Sequence, residues 1–218
     1  MVLINFFNLL FNNYLVTFLK LRSKIILRIT AGYLKGRLVK FQPGDSKARP
    51  TSSLIRQAIF NTLGSKTLNT NFLDLYSGSG IIGFEALSRG ANSVTFVEQN
   101  RQLCAYLTDN INIFEAAENT FLINNTVEVF FNKIIKNAKF DIIYADPPYK
   151  SKLQGLTLNL IANHDVLTDN GMVIIESSLE NSLNANKGAL EKKYPNLIFV
   201  KTKKYGQTEL TIYAKDPS

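Results

Sequence analysis

Phe72-Leu73-Asp74-Leu75-Tyr76-Ser77-Gly78-Ser79-Gly80-Ile81-Ile82-Gly83 is the stretch that decides the fold of this 218-residue chain. An apolar run of strand length carries an acid near its end, turns through two glycines and opens on a helical pattern. That is the setting in which a glycine-rich turn lets a ligand approach the backbone. Gly78 and Gly80 free the turn sterically, and Gly83 permits close helix packing. Beyond it, the short apolar runs 93–98, 121–124, 140–145 and 172–176 alternate with helical patterns at 80–88, 101–113, 127–136 and 152–162. Repeated β-α units predict a parallel sheet with helices on both faces. The ending differs: 197–202, a turn at Tyr205-Gly206-Gln207, and 209–214 read as an antiparallel hairpin. The expected fold is α/β, a Rossmann-like doubly wound sheet, mostly parallel with a C-terminal antiparallel hairpin.

Upstream, 25–30 and 37–41 read as two short strands around a turn from Gly32 to Gly36. A helix then follows, capped by Thr51 or Ser52, with Leu54, Ile55, Ala58, Ile59 and Leu63 at helical spacing and Gly64 as the stop. The chain divides on this reading into an apolar N-terminal extension (1–24), a basic hairpin and helix (25–66) and a larger catalytic domain (67–218).

Composition narrows the classes. At 45% hydrophobic residues the chain can bury a full core. A single cysteine, Cys104, forbids an internal disulfide, and a single histidine, His164, leaves no Cys/His metal cluster; no metal is expected, and a reducing cytoplasm fits. Cys104 reads as a small core residue of the 101–113 helix, and His164 receives no catalytic role. Residues 1–19 carry no charge but are interrupted by Asn5, Asn8, Asn12 and Asn13, a poor bilayer core, and they lack the basic start and small-residue cleavage site of a secretory signal. They read as a flexible or surface-packed extension rather than a membrane anchor. The protein is read as a monomer.

Charge is unevenly placed. Between Lys20 and Lys66 stand eleven lysines and arginines against one acid, Asp45, whereas the whole chain nets +8, so the remainder is slightly acidic. A basic block beside a near-neutral body suits capture of a polyanion, because each neutralised phosphate releases condensed counterions. Arg28, Lys35, Arg37, Arg49 and Arg56 are the candidate RNA contacts, the arginines offering planar forks for phosphate. Tyr33 and Phe41 stand among them, able to stack on bases or to pack in the core.

The glycine turn alone would also suit a nicotinamide dehydrogenase. Three features favour S-adenosylmethionine. Asp74 offers an acid to the cationic amino-acid half of that cofactor, where a pyrophosphate would be repelled. The terminal hairpin matches a methyltransferase sheet rather than a dinucleotide fold. Asp146-Pro147-Pro148-Tyr149, after the fourth strand of the alternating region, has no comparable job in hydride transfer. The cofactor candidates are Asp74, Tyr76, Ser77, Gly78 and Gly80 on the turn; Glu98, eighteen positions after Gly80, for the ribose hydroxyls; and Gln99 and Asn125 beside the adenine.

Asp146, Pro147, Pro148 and Tyr149 are the catalytic candidates. An exocyclic amine is a poor nucleophile because its lone pair is delocalised into the ring, so attack requires acceptors for both N–H groups that favour a pyramidal nitrogen. The Asp146 carboxylate and the Pro147 carbonyl supply two, and prolines have fixed φ and no competing N–H. Tyr149 offers a flat face to a base turned out of its stack. Asp146 can also receive the proton lost after transfer. An adenine-N6 methyltransferase on rRNA or DNA would use the same loop, and a non-catalytic ribosome-assembly protein could keep the pocket without turnover.

Taken together, these residues resemble the RsmD family of bacterial 16S rRNA guanine-N2 methyltransferases. The resemblance runs from about residue 27 to 214. It rests on Arg28-Ile29-Thr30-Ala31-Gly32, Lys35-Gly36-Arg37, Arg49-Pro50-Thr51, Arg56, Phe60-Asn61, the stretch 73–83, Glu98, the stretch 141–149 and Tyr205-Gly206. It implies methyl transfer from S-adenosylmethionine to N2 of one guanine of 16S rRNA in the small ribosomal subunit, with Asp74, Gly78, Gly80 and Glu98 at the cofactor and Asp146 to Tyr149 at the base. The chain departs from the family at Gln57, where an acid usually follows the helix arginine, which leaves Arg56 without an expected partner. The uncharged extension has no family counterpart.

Overall fold

A computed structural model describes residues 27–42, 51–148, 153–179, 194 and 196–217. The 1–24 extension, Arg49 and Tyr149 lie outside the described residues. The chain runs through β1 (Leu27–Arg28), β2 (Leu38–Val39), α1 (Ser53–Leu63), β3 (Asn71–Leu75), α2 (Ile81–Ser88), β4 (Ser93–Glu98), α3 (Arg101–Ile113), β5 (Thr120–Asn124), α4 (Val127–Val129), β6 (Phe140–Ala145), α5 (Leu153–Asn163), β7 (Leu167–Ser178), β8 (Leu197–Tyr205) and β9 (Thr208–Lys215).

Seven strands form one sheet in the order β5-β4-β3-β6-β7-β9-β8. The pairs among β3 to β7 are parallel, and β9 runs antiparallel to both β7 and β8. The sheet grows outward from β3 in one direction through β4 and β5, then returns to β3's other side for β6 and β7. Right-handed crossovers therefore put the helices that precede the return on one face and those that follow it on the other. One face packs α1, α2, α3 and the β1–β2 hairpin over Phe72, Phe96, Ile142, Tyr144 and Ile174. The other packs α4, α5 and Tyr194 over Leu73, Val97, Ile143, Val173 and Tyr213.

Two elements depart most from the sequence expectation. The helix expected over 127–136 is a single α turn followed by a π turn at Phe130–Ile134. The wider turn lets consecutive Phe130 and Phe131 both enter the core, with their rings edge-on at 5.3 Å. Strand β7 extends well beyond 172–176 in both directions, pairing with β6 at Leu167 and with β9 as far as Ser178. The hairpin strands read at 25–30 and 37–41 are two residues each, Leu27–Arg28 and Leu38–Val39, and β8 runs on to Tyr205; the signals around α1 hold. Ser52 caps α1, its Oγ accepting the Ile55 N–H, and Gly64 ends the helix at positive φ.

Candidate active site

The order of the strands creates the site. β3 and β6 are neighbours, yet the helices that follow them lie on opposite faces, so a crevice opens at their carboxyl ends. In register, Leu75 lies beside Ala145, and Ala145 beside Ile175. Continuing each register by one residue sets Asp146 between Tyr76 and Glu176. Side chains alternate along a strand, so Asp74, Glu98, Asp146 and Glu176 share the face that carries Phe72, Phe96, Tyr144 and Ile174. Four carboxylates from four adjacent strands thus gather at one edge of the sheet. Burial, then Glu176, then Asp74 hold Asp146 well above the usual carboxylate range. Burial likewise raises Asp74, opposed by the hydrogen bond from Gly83 and helped by the Glu98 charge. Like charges gathered at one sheet edge call for a cation, which a sulfonium with an α-ammonium group supplies.

Each expected cofactor residue has a definite place. Asp74 Oδ2 accepts the Gly83 N–H at 3.0 Å in the first turn of α2, so the acid steadies that helix as well as facing the crevice. Gly78 (φ 55°) donates its N–H to Glu98 Oε2 at 2.9 Å, and a Cβ there would meet only Tyr76 O, at 3.8 Å, leaving the space beside the loop open to a ligand. Gly80 (φ 73°) is required for a different reason. A Cβ there would lie 2.3 Å from Leu107 Cδ2. Gly83 bears out its reading, since a Cβ would strike the Phe96 ring at 2.2 Å. Glu98 Oε1 accepts the Asn100 N–H at 2.7 Å. Gln99 and Asn125 are exposed at the tips of β4 and β5, on the rim of the crevice. Tyr76 adopts a left-handed conformation, φ 59°, which costs a side-chain-bearing residue energy and is typical of functional turns. Its hydroxyl lies 2.9 Å from Thr157 Oγ1 of α5.

Ser77 sits on the turn with its side chain engaged. Its hydroxyl is spent on backbone, donating to Asp74 O at 2.6 Å and accepting from Val97 N at 3.0 Å, so it stitches β3 to β4 rather than offering its side chain to a cofactor. On the opposite wall, Asp146 is half-buried, Pro147 buried and Pro148 exposed at the crevice mouth.

Sequence reasoning missed three contributors. Tyr144, fully buried on β6, donates its hydroxyl to Glu176 Oε2 at 2.6 Å, and the Thr51 side chain also bonds that hydroxyl. The signal for Tyr144 and Glu176 was period two: both fall on the face of Asp146, but their meeting depends on β6 pairing with β7. Asn124 gathers the rim, its Nδ2 donating to the carbonyls of Glu98 at 3.0 Å and Gln99 at 3.2 Å.

The basic segment separates into two groups. Arg28, Lys35 and Arg37 are exposed on the hairpin and its turn. Arg28 Nη1 donates to Gly36 O and Arg37 Nη2 to Ile113 O, so both guanidiniums are oriented while still presented to solvent. Arg56 is not presented. It is 4% exposed, with Nη1 on Thr51 O at 2.7 Å, Nη2 on Arg28 O at 3.0 Å and Nε 3.5 Å from Glu85 Oε1. The expected RNA contact is therefore corrected to a structural tie, and the acid missing at position 57 is replaced across space by Glu85 of α2. Burial lowers the Arg56 pKa, and Glu85 opposes that. Tyr33 is 66% exposed beside these cations, whereas Phe41 is buried, which resolves its two readings in favour of the core. Cys104 donates its thiol to Glu98 O, and burial together with the Glu98 charge pushes it up to about 11, an inert core thiol as expected.

A doubly wound sheet closed by an antiparallel hairpin, with a glycine turn facing an acidic cage at the switch point, defines the class of S-adenosylmethionine-dependent methyltransferases. A family model described as conserved hypothetical protein 95 matches residues 27–214. The Escherichia coli ribosomal RNA small subunit methyltransferase D is 32% identical over 157 residues, covering 72% of this chain and 77% of that protein. Its Buchnera aphidicola (Acyrthosiphon pisum) counterpart is 33% identical over 184 residues, covering 84% and 94%. Among solved structures, a putative methyltransferase from Escherichia coli, yhhF, superposes with a TM-score of 0.75 at 27% identity, covering 89% of this chain and all of that one. The chain belongs to this family, the RsmD family of rRNA methyltransferases.

Proposed function

We propose that the chain transfers a methyl group to the exocyclic N2 amine of a specific guanine of 16S rRNA, within the small ribosomal subunit. S-adenosylmethionine is the methyl donor, supplying when bound an electrophilic methyl on a cationic sulfur. The observation that carries the reading is the juxtaposition of Asp146-Pro147-Pro148 with the Tyr76–Gly80 turn across the β3/β6 crevice. On this reading the open space at Gly78 admits the cofactor, Asp74 and Glu98 attract its cationic and hydroxyl groups, and Gln99 and Asn125 border its base. Across the crevice, the Asp146 carboxylate and the Pro147 carbonyl accept the two N–H groups of the substrate amine, holding its nitrogen pyramidal. From its place in the sequence, Tyr149 is assigned the flat face offered to the base. The exposed Arg28, Lys35 and Arg37, with Tyr33 among them, form the RNA-facing surface.

The test is methyl transfer from labelled S-adenosylmethionine to small subunits lacking the modification, followed by nucleoside analysis. N2-methylguanosine is expected. N6-methyladenosine would assign the same loop to another amine, and cofactor binding without incorporation would overturn the catalytic reading.

A further inference from the structure

Asp146 has a second acid at its side that no step described so far requires. Glu176 is 3% exposed, stands one residue past the last β6/β7 register pair, and faces the same side of the sheet. The hydrogen bonds around the two acids are unequal. Tyr144 donates to Glu176 Oε2 at 2.6 Å, a charge-assisted bond that favours the anion. No hydrogen bond to the Asp146 carboxylate is formed among the described residues. Among the described residues, the ionised groups acting most strongly on Asp146 are both acids, Glu176 of β7 and Asp74 of β3. On the same face, Glu98 of β4 is occupied by the Gly78 and Asn100 N–H groups, and Tyr144 is neutral.

We infer that Glu176 is a positioning residue for methyl transfer: kept as the anion by the Tyr144 hydroxyl, it makes Asp146 the member of the pair that takes a proton. Two carboxylates this close do not share protons evenly, and an unequal donor decides which remains charged. The inference rests on the reading of Asp146 as the acceptor for a substrate amine. In transfer the amine lone pair forms the new nitrogen–carbon bond and the carbon–sulfur pair leaves with sulfur. The nitrogen then carries one proton too many, which passes to the Asp146 carboxylate and from there to solvent. A neighbouring anion raises the affinity of Asp146 for that proton. Thr51, bonded to the Tyr144 hydroxyl just before α1, ties the arrangement to the basic segment.

The experiment combines carboxyl 13C NMR titration of the cofactor-free protein, with Asp146 assigned by loss of its resonance in D146N, and pH–rate profiles. In E176Q the Asp146 midpoint is expected to fall by about one pH unit or more. The acidic limb of the rate profile should move with it, and kcat should drop roughly tenfold with the RNA KM unchanged. Y144F should shift the midpoint in the same direction by less, because Glu176 then holds a proton more readily. A folded E176Q protein with the wild-type Asp146 midpoint would overturn the proposal, as would a shifted midpoint with an unshifted rate profile. If the wild type transfers no methyl group, the functional reading fails, and the titration still reports on the pair.

Discussion

Two clusters of buried charge lie on the same side of this sheet and are built on opposite rules. Beneath the hairpin, Glu85 is fully buried and surrounded: it accepts Thr30 N at 2.8 Å and Thr30 Oγ1 at 3.0 Å, and pairs with Arg89 at 3.2 Å and Arg56 at 3.5 Å. Arg89 in turn lies over the Phe60 ring at 4.6 Å. Here unlike charges are matched, and the result fastens the hairpin, α1 and α2 together. At the carboxyl edge, Asp74, Glu98, Asp146 and Glu176 meet like with like, and Asp74 and Asp146 are pushed above their ordinary range. Oppositely charged groups paired in the interior are structural, whereas acids gathered at one sheet edge suit a cationic ligand. A basic residue in a basic segment is therefore a poor guide to RNA contact until its partners are known, as Arg56 demonstrates.

The contrast can be broken at four points. Removing the hub is expected to cost most. Glu85→Ala strands Arg56 and the Thr30 N–H, and should lower unfolding free energy by about 4 kcal/mol in denaturant titrations. A loss below about 1 kcal/mol would mean the cluster is not structural. At the other edge, Asp146→Ala should reduce kcat about 10²- to 10³-fold with cofactor affinity largely retained, measured by single-turnover transfer and calorimetry. Unchanged turnover would remove Asp146 from the chemistry.

A subtler effect separates the clusters by sign. A carboxyl group raised on folding contributes stability that is complete below the ordinary carboxylate pKa and is lost as pH climbs through its raised folded value. Asp146→Asn should therefore stabilise the inactive protein by on the order of 1 kcal/mol at neutral pH and flatten its stability as pH rises above the ordinary carboxylate range. Equal pH dependence in both proteins would contradict a carboxyl group raised on folding. By the same sign, cofactor affinity of the wild type should rise with pH across that window. The smallest effect is at the surface. Lys35→Ala should weaken RNA binding about threefold and reduce the salt slope by roughly 0.7 to 0.9, while Arg56→Ala, if folded, should leave the slope alone. An Arg56 effect on the slope equal to that of Lys35 would restore it as a contact.

Much of the candidate site was legible residue by residue. The glycine turn, the strand ends at Asp74 and Glu98, and the Asp-Pro-Pro loop are local signals, since each depends on backbone chemistry within a few positions. The task of the Ser77 hydroxyl was not legible, because a hydroxyl on a glycine-rich loop looks the same whether or not it meets the Val97 backbone. Tyr144, Glu176 and Glu85 were passed over because their partners stand far along the chain: Tyr144 meets Glu176 across 32 positions and Thr30 meets Glu85 across 55.

What the sequence determined by itself was which way each side chain faces along its strand. Period two aligns Asp74 with Phe72, Glu98 with Phe96, Asp146 with Tyr144 and Glu176 with Ile174, and the helix caps and glycines follow from local dihedral limits. What only the tertiary structure decided was that these four strands are neighbours. The order β4-β3-β6-β7 results from a crossover back to β3, a choice made by long-range hydrogen bonding and by the burial of both sheet faces. No local pattern encodes it, and it is what turns four separate strand-end acids into one charged cage.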